Sequence, residues 1–497
     1  MRRGGRVLTN AIQTDGLTAE ELAFAVFLQG ALNRRQKSMF LDIDRYADYL
    51  LKKPVYTDLW ALAENSASLF DGMAVYDLLP GDVSVNLAAT ACAAENWLGV
   101  PRPLAEKVSG YGLKCVFDTA EIKGNEVERQ RSVWLRFRDK LKKNCLVHQV
   151  TAEGGGRYGL RDYAIAAGAF TFFARPDRDS AFLREVLGWA DKGIPVYGWT
   201  TDELGFVREL SLFGDYLVPS DWSCNHSYFA GKRFVRVGQK GRTAPPEADP
   251  TKHYLAIVVS DGDNVQWLER SFAGESLYGQ RLRRPGDYKM SWTMAPLLGK
   301  ICPAALRDIY GKAGKDTFVC GVSGIGYTNC MTFPESRLPG FAVQTAKGME
   351  YADLRVLTLL DNIENVSEEE ARRRLSCFAR QKNIIGGIWE LDPDRYESGK
   401  GRIFWACGKP FVSVGISLWH PSCSHEGVTR EWLDTVAENI ASRSADLHSE
   451  RGYTVLNVHP WSMTMEDVDY VVSRLPGHIC IVSAEELIAL IAQNVVR

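Results

Sequence analysis

Hydrophobic positions change their rhythm near the middle of the chain. After about residue 250, short apolar segments rich in β-branched residues recur: YLAIVVS, YKMSWTM, DTFVCGV, RVLTLL, IIGGIW, PFVSVGISL, YTVLNV and ICIVS. Most are followed by a helix-like stretch, the spacing of βα units. Ser367 with Glu370 predicts a cap for EEARRRLSCFARQ, Thr464 opens MEDVDYVVSRL, and Ser483 with Glu486 caps AEELIALIAQNVV. Near-continuous apolar strands alternating with helices predict a parallel sheet covered on its outside. Eight units in roughly 250 residues predict a (β/α)8 TIM-barrel-like domain. The fifth unit fits least well, because its helix segment, DRYESGKGRIFWACG, is a poor helix former.

The first half reads as smaller α/β modules. Thr18-x-x-Glu21 predicts a capping box before LAFAVFLQGALNRR. MFLDID, LKCVFD, IPVYGW and DYLVPSDW predict strands. SVNLAATACAAENWLGV, EVERQRSVWLRFRDKLKK, LRDYAIAAGAFTFF and FLREVLGWADKG predict helices. The segment KRFVRVGQKGRTAPPEADPTKH has the composition of a linker. The expected division is therefore an N-terminal α/β region over 1–245, of two or three subdomains, and a barrel-like domain over 246–497.

One feature of the pattern carries chemistry. The strand AIVVS runs directly into Asp261-Gly262-Asp263-Asn264. Burying a carboxylate is costly unless it is paired, hydrogen-bonded or bound to a cation. In a parallel βα barrel the chemistry sits at the C-terminal strand ends. The residues following the other strands are Ser323 with Gly324-Ile325-Gly326-Tyr327, Asp361-Asn362, Glu390 and Asp392, Trp419-His420, and His459 with Trp461. Glu485 and Glu486 follow the last strand but belong to a capping box. Two carboxyls across one cleft are what glycosidic hydrolysis needs: one donates a proton to the leaving oxygen, the other attacks or activates water. Asp263 and Glu390 are the expected catalytic pair, with Asp261 and Asp361 next. Asn264, Tyr327, Asn362, Trp419, His420, His459 and Trp461 are the expected substrate contacts, rings for stacking and polar tips for hydroxyls.

Composition narrows the alternatives. A net charge of -2 gives no electrostatic case for nucleic acid or an anionic membrane. No apolar run reaches the roughly 18 residues of a membrane span, and the basic N-terminus lacks the apolar core of a signal peptide, which favours a cytoplasmic chain. The 11 cysteines include no CxxC pair, so neither a disulfide framework nor a zinc ribbon is indicated. Gly324-x-Gly326 lacks the third glycine of a dinucleotide loop. No cofactor is expected and no metal ligand is assigned. A divalent ion held by Asp261 or Asp263 with His420 and His459, as in deacetylases, is the rival chemistry, although the close histidine pair of such enzymes is missing. A carbohydrate-binding protein without catalysis is the other alternative. The oligomeric state is not legible.

VVSDGDN and GVSGIGYTNCMTFP together resemble the GxGYxYP family, described as "putative glycoside hydrolase". FLQGALNR, RDYAIAAGAFTFF and SDWSCNHS extend the resemblance over most of the chain. It implies small N-terminal α/β domains, a C-terminal TIM-barrel-like domain and a carbohydrate substrate. Gly324, Gly326 and Tyr327 match the first half of the motif. Thr328 to Met331 separate them from Phe333-Pro334, where the family has Tyr-Pro close by.

Overall fold

The computed structural model describes residues 9–151 and 159–496. Internal contacts divide the chain into Met1–Gly231 and Lys232–Arg497. It is a mixed α/β protein with several small parallel sheets and one large curled sheet.

The first unit contains three small parallel sheets among the described residues. Met39–Asp42, Asn10–Gln13 and Val55–Tyr56 form one. Trp97–Pro101, Gly72–Tyr76 and Cys115–Asp118 form a second. The third runs Tyr216–Pro219, Pro195–Gly198, Lys142–His148 and Ala169–Phe172. Helix Ala19–Arg35 starts at the expected capping box, where the Thr18 hydroxyl accepts from Glu21 N–H and the Glu21 carboxylate accepts from Thr18 N–H. Three expected helices end early. In LRDYAIAAGAFTFF the helix covers only Arg161–Ala167. Gly168 then takes a left-handed conformation (φ 73°), which a glycine adopts without steric cost, and Ala169–Phe172 becomes a strand. Likewise Trp97–Pro101 is a strand where helix was expected, and the helix expected over 126–143 stops at Phe137, its last two residues, Lys142 and Lys143, opening the strand Lys142–His148. In the first two cases the aromatic and branched residues closing the segment gain more from a sheet than from prolonging the helix.

The second unit is built on parallel strands His253–Val259, Ser291–Met294, Thr317–Cys320, Val356–Asn362 and Gly386–Asp392, paired in that order. The structure does not confirm a (β/α)8 barrel. The expected sixth strand is two pieces, Lys409–Ser413 and Ile416–Leu418. The first pairs with Gly386–Asp392, the second with Tyr453–Val458. Tyr453–Val458 pairs directly with the first strand over six residues, and Ile479–Val482 joins only the lower half of that strand. The fifth connection carries a strand, Ile403–Ala406, antiparallel to Lys409–Ser413, in place of a helix. IFWA is aromatic and β-prone, and this explains the exchange.

Side-chain alternation places the core. Tyr254, Ala256, Val258, Val356, Ile388, Tyr453 and Val455 occupy alternate strand positions and pack in one cluster with Leu487, Ile488, Leu490 and Ile491 of helix Ala484–Asn494. Continuing the same parity upward, Ser260, Glu390, Asp392, Asn457 and His459 lie on the face of this core. The expected caps at Ser367, Thr464 and Ser483 all form.

The linker-like segment belongs to this unit and lies against it. The Gln239 side chain accepts from Phe318 N–H and donates to the Phe318 carbonyl, and Arg242 bridges Asp353 and Glu485. Its polar composition therefore reflects satisfied side chains.

Candidate functional site

The Asp261–Asn264 turn is shaped by its neighbours. A Cβ at Gly262 would lie 1.8 Å from the Thr293 carbonyl oxygen, so only glycine fits there. Gly262 N–H donates to the Thr293 hydroxyl, which donates to the Val259 carbonyl. Asp261 sits at a positive φ of 67°, a conformation that Asp tolerates better than most residues. Its carboxylate accepts from the Ser260 hydroxyl at 2.5 Å and from Trp461 Nε1 at 2.9 Å. Asn264 caps the helix Val265–Arg270, its side chain accepting from Trp267 N–H at 3.4 Å.

Glu390 faces this turn. It is 1 % exposed, and its carboxyl forms no hydrogen bond among the described residues. Burial pushes its pKa well above the ordinary glutamate value, and the negative charges of Asp261, Asp263 and Asp392 push it further. Burial likewise raises Asp392, against a backbone hydrogen bond from Tyr396. The site thus places three carboxyl groups within electrostatic reach of Glu390, and burial favours the neutral form of Glu390 itself.

His459 and Trp419 form a second wall. Their rings stack at 3.9 Å with 6° between planes, and Tyr396 meets Trp419 edge-on. His459 Nδ1 bonds the Ser462 hydroxyl at 2.9 Å. Burial holds the imidazole below its usual range, while Asp261 pulls the other way. Trp461 is 48 % exposed and lies 4.7 Å from Trp267. Trp461→Phe keeps the ring and removes the donor to Asp261. It is expected to lower kcat/KM by about fivefold, the effect of one partly solvated hydrogen bond, with little change in thermal stability. Steady-state kinetics beside a melting curve check this.

Not every expected residue joins the site. Asp361 and Trp389 are on the opposite parity of their strands from Thr358 and Glu390. Asp361 is buried, and its carboxylate accepts from Trp389 Nε1 at 3.0 Å and Met331 N–H at 2.7 Å. Burial pushes its pKa up to about 7, but through packing on the outer face of the strand. Asn362 is exposed at the strand tip. Tyr327 is 2 % exposed, so its ring offers no open stacking face; the loop around it is tied to the fourth strand through Ser323 and Asn329 and to Thr345. His420 bonds the Ser422 hydroxyl at 2.7 Å and packs edge-on against Trp432. The Asp-His-His arrangement is accordingly not assembled, and no cluster of three or more His, Cys, Asp or Glu suited to a metal ion occurs among the described residues. Ser260, Ser462 and Tyr396, which touch Asp261, His459 and Trp419, join the site without having been anticipated, and Asn457 lies one inward step below His459 on its strand. Asn457 was detectable as the one polar residue at an inward position of YTVLNV.

Residues 251–492 match the model described as "GxGYxYP putative glycoside hydrolase C-terminal domain", and residues 148–231 match that family's third domain. The chain belongs to the GxGYxYP family. The crystal structure of a "putative hydrolase" from Bacteroides thetaiotaomicron VPI-5482 is similar in fold, with a TM-score of 0.81 at 24% identity over 99% of this chain and 96% of that chain. No curated protein matches the sequence. No helix among the described residues is long and apolar enough to cross a membrane.

Proposed function

We propose that this protein hydrolyses a glycosidic bond, with Glu390 as the proton donor. The observation that carries this reading is a fully buried carboxyl within reach of three other carboxyl charges, Asp392 on its own fifth strand and Asp261 and Asp263 after the first. A carboxyl kept neutral near pH 7 is the group that can protonate a leaving oxygen. The second carboxyl is assigned to Asp263, whose charge reaches Glu390 from the turn after the first strand. In the reaction Glu390 gives its proton to the glycosidic oxygen as the bond to the anomeric carbon breaks. Asp263 supplies the negative charge, attacking that carbon or taking a proton from the water that does. His459, Trp419 and Trp461 bind the sugar, and the reaction as written needs no cofactor.

Incubation with a panel of aryl glycosides and natural oligosaccharides, with and without chelator, tests this. Release of reducing sugar that survives chelation, and falls about a hundredfold in Asp263→Asn, is expected. Turnover abolished by chelator would transfer the assignment to metal-assisted hydrolysis. Sugar binding without cleavage would make the protein a carbohydrate-binding module.

A further inference from the structure

Asn457 lies within the strand Tyr453–Val458, one inward step above Val455 and one below His459. Its neighbours in register are Val258 on one side and Ser417 on the other. It is 1 % exposed, and neither Oδ1 nor Nδ2 has a hydrogen-bond partner among the described residues. An unpartnered buried amide destabilises the fold that contains it. The cheaper residue at this position would be an aliphatic one like its inward neighbour Val455. Trp419, two residues beyond Ser417, shows the same anomaly: its indole Nε1 is buried and has no partner, although its ring stacks against His459.

We infer that the Asn457 carboxamide and the Trp419 indole N–H form a hydroxyl-reading subsite at the floor of the site, taking a ring hydroxyl or a vicinal pair of hydroxyls of a neutral sugar. The chemistry matches group by group. A hydroxyl donates to Oδ1 and accepts from Nδ2, and a neighbouring oxygen accepts from the indole. The set contains no charged group, which selects an uncharged polyol over a phosphate or a uronate. A site built to pair a hydroxyl discriminates strongly against an analogue lacking it, because its own polar groups are then left buried and unpaired. This inference deepens the carbohydrate reading above and rests on it.

The test reads binding, so that it is independent of catalysis. Glucose, galactose, mannose and xylose, with the matching deoxy sugars, are titrated calorimetrically into wild type, Asn457→Leu and Trp419→Phe. Wild type is expected to bind at least one sugar and to bind its deoxy analogue at least tenfold more weakly. Asn457→Leu should lose that preference while melting no lower than wild type, since a costly buried amide is gone. Trp419→Phe keeps the stacking ring and should show a partial loss, and it decides the matter should Asn457→Leu fail to fold. Absence of sugar binding by wild type, or a hydroxyl preference that both folded variants retain, would overturn the inference. Binding with the expected preference but no hydrolysis by wild type would leave this subsite standing and remove the glycosidase reading alone.

Discussion

Glu390→Gln is expected to lose 10²- to 10⁴-fold in kcat/KM, the range about which general acid catalysis contributes, and at the same time to melt higher than wild type at neutral pH. The two effects share one cause. Glu390 is buried beside the charges of Asp261, Asp263 and Asp392, so its neutral form is the one the fold accepts. Glutamine copies the shape of that neutral form but has no proton to give. The pH dependence follows from linkage. A carboxyl whose folded pKa is raised contributes its stability in full below the unfolded value, near 4.5. That contribution is lost as pH rises toward the folded pKa, because only the unfolded chain can ionise freely. Wild type therefore loses stability with rising pH from this residue, and the variant does not. Their melting temperatures should coincide near pH 4 and separate increasingly toward pH 8. Melting curves across this range check the stability half and initial rates the catalytic half.

Asp361→Ala is expected to do the reverse, destabilising the protein without touching the chemistry directly. Two buried donors, Trp389 Nε1 and Met331 N–H, lose their acceptor. At roughly 1–3 kcal/mol each, the loss at pH 5 is about 2–6 kcal/mol, and the melting temperature falls by several degrees. Wild type, however, carries its own penalty at higher pH. A shift from 3.8 to about 7 corresponds to roughly 4 kcal/mol, an upper bound, withdrawn as pH rises through that interval. The deficit of the variant should therefore shrink between pH 5 and pH 8. Denaturant titrations at both pH values measure it. A deficit that grows with pH would show that the carboxylate is held ionised by its two donors.

These two residues also show what the sequence could and could not reveal. Both were visible as acids at the ends of apolar strands. Their roles depend on parity: Glu390 continues the inward series from Ile388, whereas Asp361 continues the outward series from Leu359. The strands are buried on both faces, so no polar alternation marks which side is which. Strand length compounds the difficulty, since Val356–Asn362 includes two residues that looked like the following loop. Helix starts were legible because a cap is a local signal, as at Thr18, Thr464 and Ser483. The eighth strand was found but its place was not, because pairing order depends on contacts distant in sequence. His420 was ambiguous for another reason: Ser422, two residues away, offers a local partner that competes with any role at the site. Asn457 was passed over because attention to residues after the strands omits polar groups within them.

The central claim is that Glu390 keeps its proton at neutral pH and gives it up in the reaction. The pH profile of kcat/KM on an oligosaccharide with a poor leaving group tests it most directly, measured for wild type and Glu390→Gln. The account predicts an alkaline limb in wild type whose apparent pKa is well above that of an ordinary glutamate, and the disappearance of that limb in the variant together with most of the rate. A variant that retains both the rate and the alkaline limb would contradict it.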